Sequence, residues 1–129
     1  MNEPRFYVGD DFETVIEVIR SKPQACFSCC GRELKELTAN TSEGATEKHL
    51  PVAEQTGNLV TVSVGSVAHP MSQEHSINFI CLETEKGFQR VELKSDGEPK
   101  ACFALVEGDR PLAAYAYCNL HGFWKTDIK

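Results

Sequence analysis

The sequence predicts an all-β domain of the sandwich or barrel type, preceded by a small cysteine-bearing N-terminal unit. Two observations carry this. From residue 59 onward, short apolar or alternating runs are separated by Gly, Pro, Asp and Ser clusters; turn signals roughly every 8–12 residues mark successive strands of a sandwich or barrel. The first forty residues instead carry three of the six cysteines and little apolar material. A piece that small does not bury a core alone and usually folds around a metal or against a neighbour.

In chain order, Phe6 to Val8 and Thr14 to Ile19 read as short strands, followed by Ser21-Lys22-Pro23 and the stretch ACFSCCGREL with Cys26, Cys29 and Cys30. Residues 38–46, TANTSEGAT, are small and polar and read as a linker, which divides the chain into domains 1–40 and 41–129. In Leu59 to Val64 valines alternate with small polar residues until Gly65 stops the run, the pattern of a half-buried strand. Ile77 to Leu82 is nearly all apolar, as in a strand covered on both faces. After the turn Glu85-Lys86-Gly87, Phe88 to Leu93 alternates again. Ser95 to Pro99 is a second turn cluster, and Ala101 to Val106 and Leu112 to Cys118 are two further strands split by Gly108-Asp109-Arg110-Pro111. Cys81 and Cys102 fall inside these strands and read as buried small hydrophobes. In the last strand Tyr115 and Tyr117 share one face, while Ala114, Ala116 and Cys118 share the other. The small residues before the cysteine leave room for something bulky.

Composition narrows the function. No apolar run reaches the roughly 18 residues of a membrane helix. The opening MNEPRFYVGDDFETV is broken by Glu3, Asp10 and Asp11, unlike a secretory leader, so the expected location is the cytoplasm, with no membrane partner. There, six cysteines are thiols or metal ligands rather than a disulfide framework. The net charge of −6 without a basic cluster excludes nucleic acid as the expected partner. It also repels anionic substrates at long range unless a site supplies local positive charge.

The four histidines are His49, His69, His75 and His121, in the contexts EKHLP, AHPMSQEHSI and CNLHG. Any one alone reads as a solvated or hydrogen-bonded loop residue. Together they read differently, because all lie in short segments mostly flanked by Pro or Gly, and one stands three residues after Cys118. Pro70 biases His69 toward an extended backbone, and Ser72 can cap a turn that swings His75 back toward His69. Imidazoles suit Fe, Zn, Cu and Ni, and a thiolate adds a soft, electron-donating ligand. Structural zinc instead favours four cysteines or paired CxxC spacing.

Glu47-Lys48-His49, His69-Pro70-Met71-x3-His75 and Cys118-Asn119-x-His121-Gly122-x-Trp124 resemble the superoxide reductases, the desulfoferrodoxin and neelaredoxin family. The resemblance runs from about Thr46 to Trp124. It implies an immunoglobulin-like β-sandwich holding one mononuclear non-haem iron per chain. Four histidines, His49, His69, His75 and His121, would be equatorial ligands, and Cys118 the axial thiolate. It implies reduction of superoxide by one electron to hydrogen peroxide, a protection against oxidative stress, with the ferric iron reset by an external one-electron donor such as a rubredoxin-like protein. Ferrous iron with one thiolate has a net charge near +1, the local positive charge that the acidic chain otherwise lacks. Lys48 would attract superoxide and order proton delivery, and Glu47 would bind the ferric ion after turnover and assist product release. The family includes dimers and tetramers, so a homo-oligomer is implied. Backbone N–H groups after Cys118 are expected to hydrogen-bond its sulfur.

The N-terminal region departs from the pattern. Family members with a second, rubredoxin-like iron hold it with four cysteines, the first two shortly after an aromatic pair. Here the pair is Phe6-Tyr7, but Gly9 and Phe12 stand where those cysteines would fall. The implied unit is a degenerate desulforedoxin-like domain without its iron. A site completed by Asp10 or Asp11 and a redox-active pair among Cys26, Cys29 and Cys30 are the other readings. For the whole chain, the competing function is a cupredoxin-like or other metal-binding electron-transfer protein without catalysis, with Met71 as a weak axial ligand. Blue copper, however, uses only two histidines.

Overall fold

The structure is a computed structural model and describes residues 3–11, 13–42, 44, 46–66 and 69–129. The chain forms two compact units, Asn2–Thr38 and Ala39–Lys129.

In the first unit, β1 (Phe6–Val8) is central, antiparallel to β2 (Val15–Glu17) on one side and β5 (Lys35–Glu36) on the other. A second ribbon pairs β3 (Ser28–Cys29) with β4 (Arg32–Glu33). The intervening Cys30 and Gly31 both have positive φ, 52° and 79°, as a two-residue hairpin that follows strand twist requires. Phe6, Tyr7, Val8 and Leu34 are buried, and the Tyr7 ring meets the edge of Phe27 at 4.9 Å. Phe12 lies outside the described residues.

Among the described residues, the second unit has one helical turn, α1 (Thr46–His49), and then seven strands. These are β6 (Pro51–Thr56), β7 (Leu59–Val64), β8 (Ile77–Thr84), β9 (Phe88–Glu92), β10 (Lys100–Ala104), β11 (Pro111–Cys118) and β12 (Gly122–Asp127). Three form a sheet in the order β10-β7-β6 and four in the order β12-β11-β8-β9, all antiparallel. The pairs β7–β10 and β8–β11 are not consecutive in sequence, so the connections are of the Greek-key kind, and the three-on-four arrangement is a β-sandwich. Alternation explains the packing: Val60, Val62 and Val64 from one sheet share a core with Ile80, Leu82, Ala114, Ala116 and Cys118 from the other. The opposite face of β11 is aromatic, with Tyr117 stacked on Phe79 and Tyr115 on Phe123, each at 5.4 Å.

Four sequence readings need revision. Ala114 and Ala116 belong to the sandwich core, so facing valines and Phe103, not a metal site, take up the room they leave. Cys81 is buried, but Cys102 is exposed; β10 alternates with Ala101 and Phe103 inward, so Cys102 faces out, 3.8 Å from Thr61 Oγ1. The polar stretch 38–46 is not a free linker, since the Asn40 N–H donates to the Phe123 carbonyl (2.9 Å) and its side chain brackets the Lys125 backbone. Finally, β6 and β12 are strands that the pattern did not reveal; Glu43 and Ala45 lie outside the described residues.

Candidate metal centre

The five histidine and cysteine candidates reach the site from element ends and from the connections between elements. His49 closes α1, where the Leu50 N–H donates to the Thr46 carbonyl (3.0 Å) and ends the turn. His69 and His75 lie in the connection from β7 to β8. The Ser72 hydroxyl accepts the His75 N–H (3.1 Å) while the Ser72 N–H donates to the His75 carbonyl (2.9 Å). Ser72 therefore turns this loop back on itself as its position suggests. Cys118 ends β11, and His121 sits in the tight turn that places Gly122 opposite Cys118. A bulge in β8 pairs Ile77 with Cys118 but Phe79 with Tyr117. It re-aims the strand end beside the site, a frequent use of bulges.

The four imidazoles form a square. Adjacent ring centroids are 4.7 Å apart for His49–His69, His69–His75 and His49–His121, and 4.9 Å for His75–His121, with planes crossed by 72–81°. Across the diagonal, His49 and His75 are 6.4 Å apart and nearly parallel, at 28°. The ligand atoms of these rings and Cys118 Sγ all lie within 4.8 Å of one another.

A cation fits this square where hydrogen bonds do not. His69 Nδ1 is 2.6 Å from the Pro70 carbonyl and so carries the proton, which leaves Nε2 as a lone pair aimed at the others. His49 Nε2 is 3.2 Å from that lone pair and 3.0 Å from His121 Nδ1; one N–H cannot serve both. His75 Nε2 is buried with no hydrogen-bond partner, which costs about 1–3 kcal/mol if nothing binds it. Half the 6.4 Å diagonal is about 3.2 Å. Subtracting roughly 1.1 Å from centroid to nitrogen leaves about 2.1 Å, a metal–imidazole bond length. Cys118 Sγ lies 3.9 Å from His121 Nδ1.

The surroundings of His69, His75 and Cys118 disfavour their charged forms. Burial, with the neighbouring imidazoles, pulls His69 down to about 4 despite its bond to Pro70. His75 is lowered by burial first and then by His121, His49 and Lys48. Burial pushes the Cys118 thiol up, while the N–H groups of Leu120 and His121, which hydrogen-bond its sulfur, pull it down. These residues could hold a cation, whose charge would favour the Cys118 thiolate over the thiol.

Trp124 stacks on His49 at 5.0 Å and 21°, and its Nε1–H donates to the His121 carbonyl (3.0 Å). Gly44 is tighter still: a Cβ there would come within 3.1 Å of His49 Cε1 and 3.3 Å of His121 Cβ, at a φ of 154°. Nothing in the pattern of TANTSEGAT singles out that glycine, because the constraint is a close approach in space. Glu47 and Lys48 are exposed on α1. The Lys48 charge is felt at His75, while Glu47 stays outside the converging donors and lines a cavity of about 550 Å³ with Pro51, Ser66 and Thr126.

In the first unit, Cys29 Sγ and Cys30 Sγ are 3.8 Å apart at a cavity of about 400 Å³ that includes Gly9, Asp10 and Asp11. Cys26 lines a different cavity, with Tyr7 and Glu36.

Residues 41–127 match the desulfoferrodoxin family model. The chain is 44% identical over 99 residues, 77% of either protein, to a desulfoferrodoxin of Syntrophotalea carbinolica. It is 36% identical over 127 residues, 98% of either protein, to a desulfoferrodoxin of Clostridium acetobutylicum. Its structure matches the crystal structure of the superoxide reductase from Treponema pallidum with a TM-score of 0.86 and 40% identity, covering 98% of this chain and all of that one. With two thirds of its length matched by the family model and nearly all of it by a full-length relative, the chain belongs to the desulfoferrodoxin family.

Proposed function

We propose that the protein is a superoxide reductase: superoxide, two protons and one electron give hydrogen peroxide. The observation that carries this is the convergence of four imidazole nitrogens and one thiol sulfur within 4.8 Å. It is joined by the likeness to the Treponema pallidum superoxide reductase. His49, His69, His75, His121 and Cys118 would hold one non-haem iron, which supplies a one-electron couple able to reduce a small bound anion. The four neutral imidazoles and one thiolate leave a ferrous site one positive charge, which offsets locally the −6 of the chain. The N–H groups of Leu120 and His121 hold the Cys118 sulfur in place and tune its donation.

Lys48, exposed beside His75, attracts the anion and orders the proton that reaches it. Glu47, its neighbour on α1, supplies a mobile carboxylate that assists product release. The electron comes from outside, from a small carrier of the rubredoxin type. The N-terminal unit is a degenerate desulforedoxin-like domain, with Gly9 facing Cys29 and Cys30 across one cavity where a four-thiol site needs further sulfur. The enzyme works in the cytoplasm, where cysteines stay outside disulfides, as a homo-oligomer. The cupredoxin-like alternative is disfavoured, because four imidazoles converge with Cys118 where blue copper uses two, and Met71 Sδ is engaged by the Ile77 N–H at 3.3 Å.

Iron analysis with product stoichiometry tests the reading. One iron per chain and one hydrogen peroxide per superoxide, with no oxygen released, are expected when a reductant is supplied. Copper in place of iron, or half the peroxide with oxygen evolved, would overturn it.

A further inference from the structure

Asn119 lies between two of the five donors, yet the metal reading gives it no role. Its side chain reaches across to the loop that carries a third. Asn119 Oδ1 accepts the N–H of Ser76 (3.0 Å) and Nδ2 donates to the carbonyl of Glu74 (3.0 Å). Those two residues flank His75. The backbone N–H of Asn119 also donates to the Ser76 carbonyl (3.3 Å).

We propose that Asn119 is a positioning residue that fixes His75 relative to Cys118 and His121, and so sets metal affinity and the properties of the iron–thiolate unit. The inference rests on the reading that these donors hold iron. Three observations favour it. A carboxamide is a short side chain that offers an acceptor and a donor at once, and both are used, one on each side of His75. The bonds that Ser72 makes to His75 close the loop only on itself, among residues 72–74 that are exposed; they do not relate it to β11. The His75 ring needs such a tie, because its Nε2 has no hydrogen-bond partner to orient it. The tie is short, since Asn119 follows Cys118 directly and precedes His121 by two residues. One tight turn therefore sets the spacing of Cys118, His121 and His75. Groups that orient metal ligands typically change metal affinity about 10–100-fold when removed.

The test compares wild type with Asn119→Ala, Asn119→Asp and Asn78→Ala, loaded anaerobically with ferrous ion against a competing chelator. Asn119→Asp keeps the acceptor for Ser76 and loses the donor for Glu74. Asn78→Ala is the control, since Asn78 Nδ2 touches the same residue only at the Ser76 hydroxyl (3.3 Å). Asn119→Ala should bind ferrous ion roughly 10–100-fold more weakly and shift the ferric–thiolate absorption band and the midpoint potential. Asn119→Asp should fall between it and wild type, and Asn78→Ala should match wild type in all three. If Asn119→Ala does not fold, Asn119→Asp carries the comparison. Affinity within twofold of wild type and an unmoved band in the Asn119 variants would overturn the role of Asn119 alone, whatever happens to melting temperature. Failure of wild type itself to take up ferrous ion would overturn the metal reading, and this role with it.

Discussion

Replacing His75 by alanine separates a metal ligand from a packing residue. In the metal-free protein the ring makes no hydrogen bond through Nε2, so its removal costs packing only. That cost appears equally with and without metal, and cancels when each protein is compared with its own metal-free form. The unit Ala39–Lys129 has about 90 residues, which gives an unfolding entropy near 190 cal/mol/K at about 2.1 cal/mol/K per residue. Ferrous ion at about 1,000 times its dissociation constant stabilises the native state by about 4 kcal/mol, equivalent to a rise of roughly 20 °C. Losing one of five ligands should weaken binding at least about 100-fold. At the same ion concentration the variant then gains only about 1.4 kcal/mol, or about 7 °C. Anaerobic calorimetry of both proteins, with and without ferrous ion, measures the two increments. An undiminished 20 °C rise in His75→Ala would show that its Nε2 is not a ligand and that the square has another purpose.

Other substitutions probe other parts of the site. Cys118→Ser should abolish the red ferric–thiolate band while iron is retained at lower affinity; a persisting band means that another cysteine is the thiolate donor. Lys48→Ile should slow the bimolecular reaction with superoxide and blunt its dependence on ionic strength, read by rapid kinetics, and an unchanged rate removes Lys48 from the mechanism. Gly44→Ala places a methyl 3.1 Å from His49 Cε1 and should lower ferrous affinity several-fold by displacing that ring. Chelator competition at wild-type level would show that the loop yields instead.

How much of this was legible beforehand follows the physics of each segment. The core strand Leu59–Val64 announced itself because it alternates with period two and faces a core. In Lys100–Ala104 the outward Cys102 is as apolar in type as its inward neighbours Ala101 and Phe103, so the residue types alone hid which face it takes. The strand β6 was hidden because most of Pro51–Thr56 is exposed and polar, and an edge strand facing water carries little apolar pattern. The strand β12 was hidden because it follows Cys118 after only three residues and looks like a tail, although its register against β11 is continuous from Gly122 to Asp127. The candidate donors stood out as a resemblance of three motifs, and the structure brings those five side chains together. The square itself was not legible. It depends on a bulge in β8, a closed Ser72 loop and a one-turn helix meeting at one end of a sandwich. Gly44 and the bonds of Asn119 are long-range contacts, and no local spacing encodes them.

Pulse radiolysis of the reduced, iron-loaded protein tests the central claim most directly. The ferrous centre should be oxidised by superoxide in a second-order reaction approaching the diffusional ceiling of about 10⁸–10⁹ M⁻¹s⁻¹, with one hydrogen peroxide formed per iron oxidised. A ferrous protein that holds its iron in the five-donor site but reacts with superoxide orders of magnitude more slowly would contradict the account.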